Sequence, residues 1–120
     1  INFAGANHDL HVVRNGEMVE YKGDKTAIGI FIGDVIRNFK STEVQMEPED
    51  CVYMFTDGYA DQFGGETGAS KYFRRRLKKF LISIAHESMD HQREILRKDF
   101  NTWKGEHEQI DDVLVVGLKF

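Results

Sequence analysis

Cysteine is nearly absent from this sequence of 120 residues, and long apolar runs are missing altogether. Because Cys51 is the only cysteine, no internal disulfide is possible, and a reducing cytoplasm fits best. No apolar run approaches the roughly 20 residues that cross a bilayer, so we expect no membrane span. The start also lacks a basic stretch followed by an apolar one, which is the pattern of a secretion signal.

The charge balance is mildly acidic. Charged residues make up 30% of the chain and the net charge is −4, which gives no electrostatic reason to expect nucleic acid as a partner. With 41% hydrophobic residues the chain fills one modest core. It has no repeat, low-complexity tract or linker, so residues 1–120 are predicted to form one domain or part of one. The opening residues Ile1 to Gly5 resemble the middle of a strand and lack an initiator Met, which indicates a piece of something longer.

The rest of the sequence is organised around the stretch from Cys51 to Asp61. Its first five residues are apolar, β-branched or aromatic, which is typical of a buried strand. The strand ends in Thr56-Asp57-Gly58, where Gly58 is expected to take the backbone angles of a sharp turn. Asp57 then lies at the end of a core strand, where a carboxylate needs a cation or hydrogen bonds to compensate it.

A second stretch of the same kind lies near the C-terminus. Asp111-Asp112 leads directly into the apolar run from Val113 to Leu118. If this run and the central strand are neighbours in one sheet, their acids converge on one point. Converging carboxylates suit a hard, oxygen-loving cation such as Mg²⁺ or Mn²⁺.

The remaining segments predict an α+β fold, with an antiparallel sheet and two helices packed on one side of it. Strands are predicted over residues 1–6, 10–14 and 18–22, a short apolar piece over 28–32, and a half-exposed strand over 35–46. Asn15-Gly16 is a strong hairpin signal. From residue 69 the pattern becomes helical, and its apolar face comprises Phe73, Leu77, Phe80, Leu81 and Ile84. A second helix is predicted from Ser88, as N-cap, through Trp103, which like the other helix-face aromatics is expected in the core.

Three features therefore stand in order: a strand ending in Thr-Asp-Gly-x-x-Asp, a helical pair, and Asp-Asp-Val-Leu-Val-Val-Gly. In this order they resemble the C-terminal half of the metal-dependent protein serine/threonine phosphatases of type 2C. The branch is the bacterial one typified by stage II sporulation protein E and the regulators of stress sigma factors. Phe3 to His8, with the hairpin that follows, resembles that branch's AG-x-x strand and hairpin, and Lys25 to Gly29 resembles its P-L-G segment. The resemblance covers nearly the whole chain.

The resemblance implies roles for individual residues. Asp57 would be a direct ligand of one metal ion and Asp111 a second ligand of the same ion, and these two would be the catalytic residues. Asp112 would lie beside the ligands, and Gly58 belongs to the same metal-binding turn. Asp61 stands where the family often has an acid that serves an additional, looser metal.

The implied chemistry is hydrolysis of phosphoserine or phosphothreonine by a water that bridges two Mn²⁺ or Mg²⁺ ions, with no covalent enzyme intermediate. The implied substrate is a phosphorylated bacterial regulatory protein of the anti-sigma-factor antagonist type. A sensor domain is expected upstream in the parent protein.

The sequence also departs from the family. A further acid, expected from a Gly-Asp-Val-x-Gly-His-Gly-like segment, is missing, because Gly33-Asp34-Val35 is followed by Ile36-Arg37. Ala6 and Asn7 stand where other relatives carry an acid after the first glycine. The chain is therefore predicted to hold part of the metal centre, to bind metal weakly and to hydrolyse phosphate poorly or not at all. Without the other half of the sandwich, an apolar surface and an open sheet edge would favour self-association.

Other interpretations stay open. In the alternative, Asp57 and Asp111 have structural roles only, as turn caps or as hydrogen-bond partners of backbone amides, and Asp61 is a solvated loop acid. The chain would then be a non-catalytic interaction module, a pseudophosphatase whose basic helix or open sheet edge binds a partner. Metal binding through Asp57 and Asp111 would distinguish the two functions.

Four further features are interpreted as structural. His8 and His11 have the spacing of metal ligands, but with no cysteine nearby they are predicted to be surface or turn residues. The basic run 74–79 is interpreted as the solvent-exposed face of a helix and not as a nucleic-acid-binding site. The glycine-rich residues 62–68 lack the other residues of a phosphate-binding loop and predict a flexible flap beside the site. Cys51 is predicted to pack in the core and not to act as a nucleophile.

Overall fold

The computed structural model describes residues 1–29 and 38–120, and these form eight strands and three helices. The strands are β1 (Asn2–Phe3), β2 (Leu10–Arg14), β3 (Glu17–Tyr21), β4 (Thr42–Glu43), β5 (Cys51–Phe55), β6 (Phe63–Gly64), β7 (Ser70–Lys71) and β8 (Val115–Lys119). The helices are α1 (Gly58–Asp61), α2 (Arg74–Ile84) and α3 (Met89–Lys104). Among the described residues, no helix is both long enough and apolar enough to span a bilayer.

The main sheet has four strands in the order β3-β2-β5-β8, and every neighbouring pair is antiparallel. The predicted hairpin joins β2 to β3, with positive φ angles at Asn15 and Gly16. β5 pairs with β8 along its whole length, so that Phe55 lies opposite Val115. The prediction that the central strand and the C-terminal strand are neighbours in one sheet is therefore confirmed, as is the α+β architecture.

Each face of the sheet carries its own apolar cluster because side chains alternate along a strand. The larger cluster packs one face against α2 and α3; its sheet residues are Val13, Cys51, Tyr53 and Phe55, and its helix residues are Leu77, Leu81 and Phe100. The smaller cluster covers part of the other face with the β1–β4 pair, through Phe3, Leu10, Val12, Val44 and Val52. Cys51 is fully buried, which confirms its role in packing.

The boundaries of the helices differ in part from the prediction. α3 begins after Ser88, whose hydroxyl accepts from the backbone N–H of His91, as predicted. The helix predicted from residue 69 begins only at Arg74, because the N–H groups of Tyr72 and Phe73 bond to the carbonyls of Gln62 and Ala60. Phe73 is consequently 58% exposed, and its predicted place in the core was wrong.

Several shorter elements also differ. The strand predicted over residues 1–6 extends only over Asn2–Phe3, and α1 is a third helix that was not predicted. Of the strand predicted over 35–46, only Thr42–Glu43 is found; residues 30–37, with most of the apolar piece 28–32, lie outside the described residues. The glycine-rich residues, predicted as a flap, contribute to the β6–β7 hairpin, in which Gly65 N–H bonds to the carbonyl of Trp103.

One apolar surface has no cover in the described part of the chain. β8 is the edge strand, and alternate residues of it and its flanks point away from the helices. These exposed residues are Leu114, Val116, Leu118 and Phe120. A contiguous apolar stripe on a sheet edge is typical of a surface that packs against another element.

A buried ion pair next to the central strand makes stability depend on pH. The carboxylate of Asp50 is buried and accepts from Arg14 Nε at 2.9 Å and from Glu47 N–H at 2.8 Å. The hydrogen bond from Arg14 holds the pKa of Asp50 below its usual range. Asp50 therefore stabilises the folded chain above about pH 4, and this contribution is lost as the pH falls below that value.

We expect the urea midpoint of the wild type to fall as the pH is lowered from about 4 to about 2, because folded Asp50 must then be protonated. Asp50→Asn should show a shallower dependence. Asp90→Asn, which changes an exposed acid on α3, should keep the wild-type dependence. Equal slopes for Asp50→Asn and the wild type would show that the Arg14–Asp50 pair does not govern acid stability.

Candidate metal centre

The two acidic motifs are joined directly through Thr56. Its backbone N–H donates to the carbonyl of Leu114 at 3.0 Å, which continues the β5–β8 ladder beyond the last strand residues. Its hydroxyl donates to the carbonyl of Asp112 at 3.0 Å and accepts from Leu114 N–H at 3.1 Å. One side chain thus fastens the Asp111-Asp112 segment to the turn that carries Asp57.

Gly58 brings the same two segments into close backbone contact. A Cβ at this position would lie 2.1 Å from the carbonyl oxygen of Asp112, closer than real contacts allow. Its φ angle is not positive, so the predicted reason for glycine, a special turn conformation, was wrong. The reason is lack of space: only a residue without a side chain lets the loop before β8 approach the start of α1.

Asp57 lies at the N-cap position of α1 with an exposed side chain, and that side chain makes no capping hydrogen bond. Its carboxylate instead forms an ion pair with Arg74 at the start of α2. This hydrogen bond raises the pKa of the Arg74 guanidinium. The charge of Asp57 is therefore compensated by a cation, which in this structure is an arginine side chain.

The other acids surround this turn. Asp111 and Asp112 are both exposed, and Asp111 Oδ1 accepts from Asp112 N–H at 2.7 Å. Asp61 ends α1 and lies 3.2 Å from Lys71 Nζ, so it is a half-exposed, ion-paired residue of a helix. The structure therefore brings the segments of Asp57, Asp111 and Asp112 together at one end of the sheet, with Asp61 one helical turn away.

The chemistry of these donors suits the divalent ion that the resemblance implies. Carboxylate oxygens are preferred ligands of Mg²⁺ and Mn²⁺, and those of Asp57 and Asp111 reach solvent. Within residues 1–29 and 38–120, however, neither Asp57 nor Asp111 belongs to a group of three acidic, histidine or cysteine side chains whose ligand atoms all lie within 4.8 Å of one another. By the chemistry of their donor atoms, these residues could hold part of a metal centre.

Arg74 is a site residue that sequence reasoning missed. The basic run 74–79 was interpreted as the solvent-exposed face of a helix, but several of its residues make specific contacts. The Arg76 guanidinium lies 4.3 Å and 4.5 Å from the ring centres of Tyr72 and Trp103, and Lys78 Nζ lies 2.5 Å from Glu20. The signal available in the sequence was only the density of positive charge, which does not identify partners.

His11 is a second correction. It was predicted to be a surface or turn residue, yet it lies in β2 with 1% of its surface exposed. Its ring stacks on Phe55, with centroids 4.6 Å apart. The alternation of side chains along β2 could have predicted that His11 is buried, because His11 and Val13 share the face that packs on the helices.

The joined acidic turns at the end of an antiparallel sheet, with helices on one face, define the class of the molecule as a type-2C phosphatase fold. A family model described as "Stage II sporulation protein E (SpoIIE)" matches residues 1–120. The chain belongs to this family.

A solved structure, the SiaA-PP2C domain of Pseudomonas aeruginosa, is similar to the chain with a TM-score of 0.83 and 32% sequence identity. The match covers 99% of this chain and 45% of that one. The chain therefore spans less than half the length of this solved relative. No curated protein matches the chain.

Because Arg74 and a metal ion would compete for Asp57, we expect Arg74→Gln to bind Mn²⁺ more tightly than the wild type. Both side chains are about half exposed, and such pairs contribute up to about 1 kcal/mol, or about fivefold in affinity. Calorimetric titration with Mn²⁺ measures the change. Arg75→Gln, one position along the same helix, is the control and should leave the affinity unchanged; weaker binding by Arg74→Gln would contradict the competition.

Proposed function

We propose that this chain is the C-terminal portion of a divalent-metal-dependent protein serine/threonine phosphatase and supplies part of its metal centre. The observation that supports this most is the contact between the two acidic turns. Thr56 donates a hydrogen bond to the carbonyl of Asp112, and Gly58 packs closely against that carbonyl. This contact holds the two acidic turns side by side at the end of one sheet, although they lie more than fifty residues apart in the chain.

In this proposal Asp57 and Asp111 hold the metal, and Thr56 and Gly58 keep their two turns in register. Bound Mn²⁺ or Mg²⁺ would lower the pKa of a bridging water and neutralise charge on the phosphoryl group. Arg74 compensates the negative charge of Asp57. Asp112 orients the loop through its backbone carbonyl, and Asp61 is the candidate acid for a looser ion.

We propose phosphoserine or phosphothreonine on a bacterial regulatory protein, of the anti-sigma-factor antagonist type, as the substrate. Membership of the stage II sporulation protein E family supports this class of substrate, although the fold alone does not define a function. A sensor domain upstream would supply the input. The free, buried Cys51 fits a reducing compartment, and we assign the protein to the cytoplasm.

The exposed stripe on β8 supports the proposal that further chain completes the domain. Leu114, Val116, Leu118 and Phe120 are where a second sheet of the sandwich would pack. We propose that the N-terminal half of the domain covers this stripe and supplies the missing acids. In its absence a second copy of this chain would cover the stripe, and size-exclusion chromatography over a range of concentrations would then show a dimer.

The experiment compares Mn²⁺-dependent hydrolysis of p-nitrophenyl phosphate by this chain and by a version extended at its N-terminus to the length of the solved relative. Activity in the extended protein, abolished by a chelator and restored by Mn²⁺, would support the phosphatase. No activity in either protein, with circular dichroism showing that both are folded, would favour the non-catalytic interaction module instead.

A further inference from the structure

His11 is a buried side chain whose polar atoms have no partner among the described residues. Only 1% of its surface is exposed, and within residues 1–29 and 38–120 neither Nδ1 nor Nε2 makes a hydrogen bond. Buried polar groups in folded proteins are almost always satisfied, and those that are not call for an explanation, such as an ion. The imidazole of His11 therefore points to a ligand that accepts a nitrogen lone pair.

Two carboxylates lie next to this ring. Glu20 on β3 is directly opposite His11 in the β2–β3 ladder, and Asp9 precedes His11 by two residues, which places both on the same face of the strand. One ring nitrogen and one oxygen from each acid all lie within 4.8 Å of one another. Donors bound to one Zn²⁺ at about 2.1 Å lie roughly 3 to 4 Å apart, so side-chain adjustments of about 1 Å would close the group.

We propose that Asp9, His11 and Glu20 form a binding site for a divalent transition-metal ion, with Zn²⁺ as the ion that best matches one imidazole and two carboxylates. Imidazole suits Zn²⁺ and its neighbours better than Mg²⁺ or Ca²⁺. Burial lowers the pKa of His11 and so favours the neutral ring, which is the form that binds metals. This site shares no residue with the candidate phosphatase centre.

Two lysines now neutralise the acids. Lys22 Nζ lies 2.9 Å from Asp9 and 2.8 Å from Glu20, and Lys78 Nζ lies 2.5 Å from Glu20. These ammonium groups pair with the carboxylates only, whereas a metal ion would bind both carboxylates and one nitrogen of the imidazole. Lys22 has 68% of its side chain exposed, so it can move into water when the metal binds.

The site would also connect to the central strand. The His11 ring stacks on Phe55, which is two residues before Asp57. An ion held by β2, β3 and the residue before β2 would fix this part of the sheet and the ring beneath it. Its loss would be measured as a lower unfolding temperature, independent of any phosphatase activity.

The test is calorimetric titration of Zn²⁺ into the chain at pH 7.5, with the unfolding temperature measured in parallel. The wild type is expected to bind one equivalent and to be stabilised by it. Glu20→Gln, Asp9→Asn and His11→Phe should each bind at least about tenfold more weakly. Lys22→Gln should bind more tightly than the wild type, because it removes a competing cation.

The control is Glu87→Gln combined with His91→Ala, which removes an exposed histidine–carboxylate pair with a separation of 2.8 Å on another part of the surface. This variant should bind Zn²⁺ at the Asp9–His11–Glu20 site like the wild type. Co²⁺ provides a spectroscopic readout, since visible absorption bands should appear with the wild type and be lost with His11→Phe.

The proposal fails if the wild type binds no Zn²⁺ at millimolar concentrations, or if Glu20→Gln and Asp9→Asn bind it as the wild type does. These two variants preserve side-chain size, so they decide the question even if His11→Phe does not fold. Loss of binding in the Glu87–His91 variant, with binding retained in Glu20→Gln, would place the ion at the exposed pair and would also overturn the proposal.

Discussion

Asparagine in place of Asp57 or Asp111 is expected to lower Mn²⁺-dependent phosphate hydrolysis by the N-terminally extended protein about 10³-fold. Both carboxylates lie on the turns that Thr56 joins, and both are proposed to hold the same ion. A bound ion contributes several kcal/mol to the stabilisation of the transition state, and a loss of about 4 kcal/mol corresponds to that factor. The measurement is kcat/KM for p-nitrophenyl phosphate at saturating Mn²⁺.

The matched control is Asp90→Asn, which makes the same change at an exposed position of α3 and should keep wild-type activity. Asp61→Asn and Asp112→Asn should have smaller effects than Asp57→Asn, because these acids are proposed to lie beside the first ion. Wild-type activity in Asp57→Asn or Asp111→Asn, in a protein that is active and folded, would exclude the proposed role of that residue.

Gly58→Ala is expected to destabilise the chain by about 3 kcal/mol, which is the upper end of the usual range for overpacking. The added Cβ would meet the backbone of Asp112 at 2.1 Å, and backbone atoms cannot move aside as the end of a flexible side chain can. Relief of the clash would separate the two acidic turns and break the hydrogen bond from Thr56 to Asp112. Urea denaturation followed by circular dichroism measures the change.

Gly29→Ala is the control for this substitution. A Cβ at Gly29 would meet no atom of the described residues within 4 Å, and its φ angle is not in the positive range, so the effect should stay within about 0.5 kcal/mol. If Gly58→Ala were as stable as Gly29→Ala, the loop before β8 would have room to move. The contact of Thr56 and Gly58 with Asp112 would then not fix the positions of the two acidic turns. In the extended protein, Gly58→Ala should also weaken Mn²⁺ binding.

Arg74 connects the first turn of α2 to the end of β5. Its guanidinium pairs with Asp57 and lies 5.9 Å from the ring centre of Phe55. It therefore holds the first turn of α2 against the end of β5. Metal binding at Asp57 would release this contact, so the start of α2 is the element whose position we expect to respond to the ion.

Local pattern in the sequence was sufficient to predict much of the fold. The apolar run at Cys51 to Phe55 forms the central strand, Asn15-Gly16 forms the hairpin, and Ser88 caps α3. Each of these signals acts through residues a few positions apart, where backbone preference and hydrogen bonding are decided locally. The family membership also followed from the order of short motifs along the chain.

Contacts between distant residues were decided only by the tertiary structure. Gly58 is a glycine because of Asp112, and Asp57 is paired with Arg74, and neither partner can be identified from neighbouring sequence. α2 begins late because Phe73 N–H is bound to Ala60 in another element. Thus the sequence by itself determined which acids end which strands. The tertiary structure decided how the loop before β8 packs against the turn after β5. This packing depends on side-chain volume at Gly58 and on hydrogen bonds between the two segments.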